Sequence, residues 1–147
     1  VRRMKGASMD ILRVKRGDKV KISYFQNPET TTVESVEPPR PEFEDAFERI
    51  DRVVEEEIGK ALSDNEVKDD VVRFESVEVS VTYSDGEVSS YGITGNFEIS
   101  NYDIPMETRK KNIKVGAYKK LDEAVREVLN EAKIYLSGDR SQGKLVM

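Results

Sequence analysis

The sequence predicts an α+β fold: an antiparallel sheet, made of an N-terminal meander and a central hairpin, with two amphipathic helices packed on it. Stretches with a period of two alternate apolar and polar residues, as half-buried strands do. Two other stretches carry apolar residues at helical spacings of three and four. Their order along the chain is strands, helix, strands, helix, and 147 residues suit one such domain.

The first 36 residues contain an extension and three predicted strands. Residues 1–9 show no periodicity, so we expect them to be disordered and the single domain, with a short C-terminal tail, to span residues 10–147. Alternation with polar residues predicts the first two strands at Leu12, Val14, Val20, Ile22 and Tyr24. Thr30 to Val36 is rich in β-branched residues and predicts a third strand.

The first helix is predicted from Pro41 to Leu62. Prolines at 38, 39 and 41 end the meander, and Pro41 suits the first turn of a helix, where its missing N–H costs nothing. Acidic residues in that turn interact favourably with the helix dipole. The apolar stripe consists of Phe43, Ala46, Phe47, Ile50, Val54, Ile58 and Ala61.

A hairpin is predicted in the middle of the chain. Val71 to Tyr83 has a period of two, and Val88 to Ile93 pairs back with it. Between them, Asp85-Gly86 suits the positive φ angles of a type I′ turn. Gly92 and Gly95 predict a bulge or a bend in the returning strand.

The last third of the chain predicts one more helix. Phe97 to Ile99 continues the returning strand, Asn101 to Pro105 is predicted to be a loop, and residues 106–117 have no clear period. The second helix is predicted from Tyr118 to Ser137, followed by Gly138 at the left-handed position that ends many helices. Its apolar stripe consists of Leu121, Ala124, Val125, Val128, Leu129, Ala132, Tyr135 and Leu136.

Missing residue types exclude several kinds of chemistry. The chain has no Cys and no His, which removes disulfides, thiolate nucleophiles, the commonest general base and the commonest metal ligand. No apolar run approaches the roughly 18–20 residues of a membrane helix. We therefore expect a cytoplasmic protein with no membrane contact, no cofactor and no metal.

Charge is unevenly distributed around a net value of −5. The local balance is +6 over residues 1–21, −8 over residues 37–70 and +5 over residues 106–120. One interpretation is that these stretches are solvated faces of a soluble domain. The other is that Arg109, Lys110 and Lys111, with Lys114 nearby, form an anion-binding face.

Four aromatic residues, Tyr91, Phe97, Tyr102 and Tyr118, flank or lie in this last basic stretch. Exposed aromatics beside basic groups are typical of proteins that grip single-stranded nucleic acid. The alternative is that Tyr91 and Phe97 belong to the core.

Motifs for catalysis are weak. Gly92-Ile93-Thr94-Gly95 is not followed by Gly-Lys-Ser/Thr, so it is interpreted as a strand bend and not as a phosphate-binding loop. Carboxylates such as those of Glu55-Glu56-Glu57 and Asp69-Asp70 are abundant, and magnesium needs only a few oxygen ligands. A run of charges is more often a solvated face, so a carboxylate-based metal enzyme is the least favoured hypothesis.

The stretch from Asn130 to Leu145 resembles the ending of a family of small phage and prophage proteins, which close with a Glu-Ala-x-x-Tyr-Ile helix and then Gly-Lys-Arg-Ala-Gln-Gly. The matching residues are Glu131, Ala132, Tyr135, Gly138, Arg140, Gln142, Gly143 and Leu145. Asp139 departs from the usual Lys, and Val146-Met147 also differ. The segment Arg40 to Ala46 is similar to that family's first helix start. The resemblance implies a phage-encoded accessory protein in a bacterial cytoplasm and supplies no catalytic residues.

The tail after Gly138 offers a candidate contact. Arg140 and Gln142, with Lys144 assisting, lie at alternate positions, so an extended tail would point all three donors the same way. Arginine holds phosphate or carboxylate through two parallel bonds. The alternative is a structural tail, in which Arg140 caps the helix end.

These observations favour a non-enzymatic binding module for a protein or a nucleic acid, and they leave the oligomeric state open. One alternative is a sponge-like binder of a small anionic ligand such as a nucleotide. The second is the carboxylate-based metal enzyme.

Overall fold

The computed structural model describes residues 9–64, 72–99, 102–107 and 113–138, and they form one antiparallel sheet with two helices packed on it. The predicted α+β fold is confirmed. The strands are β1 Asp10–Lys15, β2 Val20–Gln26, β3 Glu29–Ser35, β4 Val72–Ser84, β5 Glu87–Ile99, β6 Tyr102–Glu107 and β7 Ile113–Lys114. The helices are α1 Pro41–Asp64 and α2 Lys119–Leu136.

The strand order is β3-β2-β1-β4-β5-β6, and β7 pairs with β5 as well. The meander β1–β3 therefore forms one half of the sheet and the hairpin β4–β5 begins the other, with β1 and β4 joined at the centre. Helix α1 carries the chain from the β3 edge back to the centre. Both helices pack on the same face, where α1 contacts β4 and α2 contacts β1.

The core lies between this face and the helices. Phe47, Ile50, Leu129 and Ala132 are buried, as predicted. The ring centroid of Phe43 lies 5.4 Å from that of Phe47 and 6.2 Å from that of Tyr135, and the rings are tilted against each other. These aromatic contacts link the two helices. Met9, the first described residue, is partly buried and packs against this core.

An ionic cluster attaches α1 to the sheet, and we call it the Arg16 cluster: Arg16, Glu44, Asp51 and Ser76. Arg16 follows β1 and donates to the carboxylates of Glu44 (2.9 Å) and Asp51 (2.8 Å) and to the carbonyl of Ser76 (2.7 Å). Asp51 also accepts from the backbone N–H (2.8 Å) and the hydroxyl (2.6 Å) of Ser76. The register of β4 shifts at this point, between Ser76 and Glu78.

A second set of contacts positions α2. Arg40, just before α1, donates two parallel hydrogen bonds to the carboxylate of Glu131, at 2.8 and 2.7 Å. The Tyr135 hydroxyl donates to the carbonyl of Glu37 at 2.7 Å. The C-terminal half of α2 is thereby joined to the segment that enters α1.

Two turn predictions are confirmed. Asp85 and Gly86 have φ angles of 54° and 82°, which a type I′ turn requires. Gly138 has a φ of 96° directly after α2, as predicted for its end.

One other prediction is wrong. Residues 102–105 are not a loop but part of β6, which pairs with β5; a proline such as Pro105 is compatible with a strand that has one neighbour among the described strands. The predicted bulge in the returning strand is present, but at Ser89, which is the extra residue of β5 between Val88 and Ser90. Opposite Gly95 the bulge belongs to β4, where Val77 is the extra residue. Gly95 is needed for close packing, since a Cβ there would lie 2.4 Å from the Glu75 carbonyl oxygen.

Phe47→Ala is expected to lower the free energy of unfolding by about 3–5 kcal/mol, because the buried ring fills a site between the helices and the sheet. Urea unfolding followed by circular dichroism would measure it. Glu48→Ala, at the exposed neighbouring position, should change stability by less than about 0.5 kcal/mol. Equal stability of the two variants would contradict the proposed packing.

Asp51→Ala is expected to lower the free energy of unfolding by about 3 kcal/mol, because it removes the carboxylate that binds both Arg16 and the Ser76 N–H. The Arg16 side chain is only 11% exposed. Glu44→Ala removes the half-exposed carboxylate that binds Arg16 on its outer side, and it should lower the free energy of unfolding by at most about 1 kcal/mol. Thermal and denaturant unfolding of both variants test this order, and a reversed order would contradict it.

Candidate ligand-binding cleft

The candidate site residues predicted from the sequence lie outside the described residues. These are Arg109, Lys110 and Lys111 of the basic segment and Arg140, Gln142 and Lys144 of the tail. The neighbouring lysines that the structure describes are exposed: Lys114 lies on β7, and Lys119 and Lys120 begin α2.

A cleft of about 560 Å³ lies between α2 and the turn end of the β4–β5 hairpin. This volume is within the range of sites that hold small ligands. Its lining residues are Asp10, Tyr83, Gly86, Glu87, Val88, Tyr91, Val115, Asp122, Arg126, Leu129, Asn130 and Lys133.

The α2 wall of the cleft is basic. Arg126, Asn130 and Lys133 are spaced by four and three residues, which places them on one stripe of the helix, and all three are exposed. Within the residues that the structure describes, neither Arg126 nor Lys133 forms an ion pair. Their charges therefore face the cleft and solvent without a carboxylate partner from that part of the chain.

The sheet side of the cleft is aromatic and apolar. Tyr83 of β4 pairs with Val88, and Tyr91 of β5 pairs with Val81, so the two tyrosines are diagonal neighbours in the hairpin. Val88 and Val115 extend the apolar surface. The Tyr83 hydroxyl donates to the carbonyl of Ile11 at 2.9 Å. Tyr91 is 1% exposed, which confirms its assignment to the core, and only the edge of its side chain borders the cleft.

Asp122 in the first turn of α2 holds the cleft together. Its carboxylate accepts from the Tyr91 hydroxyl at 2.5 Å and from the backbone N–H of Gly116 at 2.7 Å. One side chain thus joins β5, the turn after β7 and the start of α2. Both carboxylate oxygens are engaged, so Asp122 serves as a structural link in the cleft.

Both tyrosine hydroxyls stay protonated at neutral pH. Burial raises the pKa of Tyr91 well above its usual value, and the hydrogen bond to Asp122 raises it further. Burial, with a smaller contribution from the charge of Asp10, raises the pKa of Tyr83 to about 12. They act as hydrogen-bond donors.

Acidic residues also line the cleft, namely Asp10 of β1 and Glu87 at the start of β5. The cleft therefore combines a basic wall on α2, aromatic and apolar residues of the hairpin and two carboxylates. A ligand that matches it carries an anionic group and also hydrogen-bond donors.

The two helices also differ in the charge they expose. Among the α1 side chains at positions 41–57, whose exposure the structure describes, the exposed charged residues are mostly acidic: Glu42, Glu44, Asp45, Glu48, Arg49, Arg52, Glu56 and Glu57. Those of α2 are mostly basic: Lys119, Lys120, Glu123, Arg126 and Lys133. An anionic partner is thus attracted to the α2 side of the molecule.

Sequence reasoning did not single out Arg126, Asn130 and Lys133. The signal was present, since the three occupy one polar stripe beside the apolar stripe of α2, but only the fold shows that a tyrosine-lined hairpin faces them. Of the other aromatic candidates, Tyr118 is half exposed, and the side chains of Phe97 and Tyr102 lie outside the described residues.

Among the described residues, no group of three or more Asp or Glu side chains is arranged to hold a metal ion. No helix in that part of the chain is long and apolar enough to cross a membrane. Comparison of the chain with protein-family models, curated proteins and solved structures finds no match. The resemblance to phage and prophage proteins therefore stays a prediction.

A pH dependence follows from the raised tyrosine pKa values. The unfolded chain releases these protons near pH 10, whereas the folded protein retains them, so the free energy of unfolding should fall as pH rises above about 10. Below that pH both hydroxyls are protonated in the folded and in the unfolded protein, so they do not make the free energy of unfolding depend on pH.

Tyr91→Phe and Tyr83→Phe should each make this alkaline fall shallower, because each removes one titrating hydroxyl. Urea unfolding between pH 8 and pH 12, a range that extends from below the usual tyrosine pKa to the raised pKa of Tyr83, would measure the slopes. Slopes equal to that of the unmodified protein would contradict the assignment.

Proposed function

We propose that the protein is a non-enzymatic binding module whose cleft holds a small anionic ligand with an aromatic or apolar group, such as a nucleotide. The observation that carries the proposal is the pair Arg126 and Lys133. Both lie on one stripe of α2 and face a tyrosine-lined wall.

The chemistry of each wall supports this class of ligand. The guanidinium of Arg126 suits a phosphate or carboxylate through two parallel hydrogen bonds, and Lys133 adds a second positive charge. Asn130 lies between them and offers an amide. Asp10 and Glu87, which also line the cleft, accept hydrogen bonds from groups such as the amino groups of a base.

The cleft geometry favours binding over turnover. A general base that works near neutral pH needs a pKa close to that pH. The pKa values of the Tyr83 and Tyr91 hydroxyls are raised, which moves them further from neutral pH. Asp122 is engaged by two donors.

Single-stranded nucleic acid is the second candidate ligand. Lys114, Lys119 and Lys120 are exposed near the N-terminal end of α2 and extend the positive charge beyond the cleft. A polyanion could follow such a surface, and Tyr118, half exposed at the same end, offers a ring for stacking. A protein partner, also expected from the sequence, has no comparable support from the residues that line the cleft.

Replacing both Arg126 and Lys133 with Gln is expected to weaken nucleotide binding by roughly 100–10,000-fold, because charged hydrogen bonds contribute about 1.5–3 kcal/mol each and the double variant loses both. Isothermal titration calorimetry with adenosine and guanosine mono- and triphosphates, and with inorganic phosphate, would measure it. Arg52→Gln is the matched control, since it removes one positive charge from the exposed side of α1 and should leave affinity unchanged.

Single-stranded oligonucleotides separate the two candidates. If the ligand is a polyanion, Lys119→Gln with Lys120→Gln should lower oligonucleotide affinity and its salt dependence, whereas mononucleotide affinity stays unaffected. Absence of binding to every probe, or equal losses in the Arg52→Gln control, would contradict the proposal.

A further inference from the structure

The edge strand β3 is unusually regular for this sheet. It pairs with β2 through seven consecutive residue pairs without interruption, whereas the β1–β2, β4–β5 and β5–β6 pairings each contain a register shift. Within the described ranges, no strand pairs with the outer side of β3. A straight edge of this kind is a template for another strand.

The interior of β3 lacks the usual protection against such pairing. Natural edge strands are protected by lysines, prolines or bulges. Residues 30–33, Thr-Thr-Thr-Val, are uncharged and contain no proline. Val36, directly after the strand, is 72% exposed, the largest value among the exposed large hydrophobic residues of the described chain.

The strand is complementary to itself in the antiparallel direction. A two-fold axis at Thr32, the middle residue, pairs all seven residues and places Thr32 opposite Thr32. Glu29 then lies opposite Ser35, and Glu34 opposite Thr30, so no carboxylate faces another. A shift by one residue would set Glu29 against Glu34, and it would also pair residues that point to opposite faces of the sheet.

The same axis gives the exposed valine a neighbour. Beyond the strand ends, Val36 of one copy comes next to the Asn27–Pro28 turn of the other, which is also exposed. The absence of facing carboxylates, the full overlap and this apolar contact all favour a second copy of the chain as the occupant of the edge.

We propose that the protein forms a two-fold symmetric dimer through antiparallel pairing of β3 with β3. The two sheets then become one continuous sheet. Because paired residues point to the same face, the helices of both copies lie on the same side. The contact uses the same surface on each copy, so it closes at two subunits. The proposal is independent of the ligand cleft, which lies at the hairpin on the other half of the sheet.

Charge variants at the symmetry centre test it. Thr32 is exposed in the single chain, so Thr32→Lys should fold, and in the dimer it would place two lysines directly opposite each other. We expect the dimer dissociation constant to rise at least about fivefold. Thr32→Glu should weaken the dimer in the same way, and an equimolar mixture of the two variants should restore a heterodimer through opposite charges.

Sedimentation velocity over a range of concentrations would measure the dimer in the unmodified protein, in both variants and in their mixture. The control is Thr82→Lys, an exposed threonine on the interior strand β4, which should dimerise like the unmodified protein. Thermal melts check that each variant is folded, since Thr32 also contacts the Ser23 hydroxyl at 2.9 Å.

A monomeric unmodified protein at every concentration would overturn the proposal, as would a dimer that Thr32→Lys leaves unchanged. Weakening by Thr82→Lys equal to that by Thr32→Lys would also overturn it, because the effect would then not depend on β3. The symmetric pairing requires that each variant by itself dimerise more weakly than the unmodified protein and that the equimolar mixture recover dimerisation.

Discussion

The position of α1, and with it much of the fold, depends on the Arg16 guanidinium. Its three hydrogen bonds reach a helix at Glu44 and Asp51 and a strand at the Ser76 carbonyl. The β4 bulge interrupts the regular ladder at this point, and the Ser76 N–H bonds to Asp51 instead. Buried backbone groups left without partners are costly, so the bulge and the helix-borne carboxylate require each other. The register of β4 thereby fixes where α1 lies.

The location of the cleft depends on the position of α2, which is held at two points. Near its C-terminal end, Glu131 binds Arg40, which directly precedes α1. At its first turn, Asp122 binds Tyr91 of the hairpin and the turn at Gly116. Arg126 and Asn130 lie between these attachments, and Lys133 lies two residues beyond Glu131, so the polar stripe borders the end of the hairpin along its length. The basic wall is thus held on a supported helix, which limits the ordering cost of binding a ligand.

Local patterns in the sequence predicted both helices, the hairpin turn and the central strands, because periodicity and turn chemistry act over a few residues. They could not reveal the Arg16 cluster, whose members Arg16, Asp51 and Ser76 are far apart in the chain. Nor could they identify β6, because Pro105 indicated a loop and only pairing with β5 shows a strand. The cleft was missed for the same reason: its basic wall and its tyrosines lie on different elements.

Buried ion pairs are weak evidence for stability, since the desolvation of both charges offsets much of their attraction. In this fold the ion pairs act mainly by favouring one position of α1 on the sheet. The helices pack mainly on β1 and β4, and the β4 bulge beneath α1 is bound by side chains of the Arg16 cluster. β3 lies two strands from that centre, where no helix demands a distortion, and its ladder stays regular. At the opposite edge β6 pairs with β5 through a register shift, whereas the β2–β3 pairing has none. Of the two edges, β3 is therefore the better shaped to accept another strand.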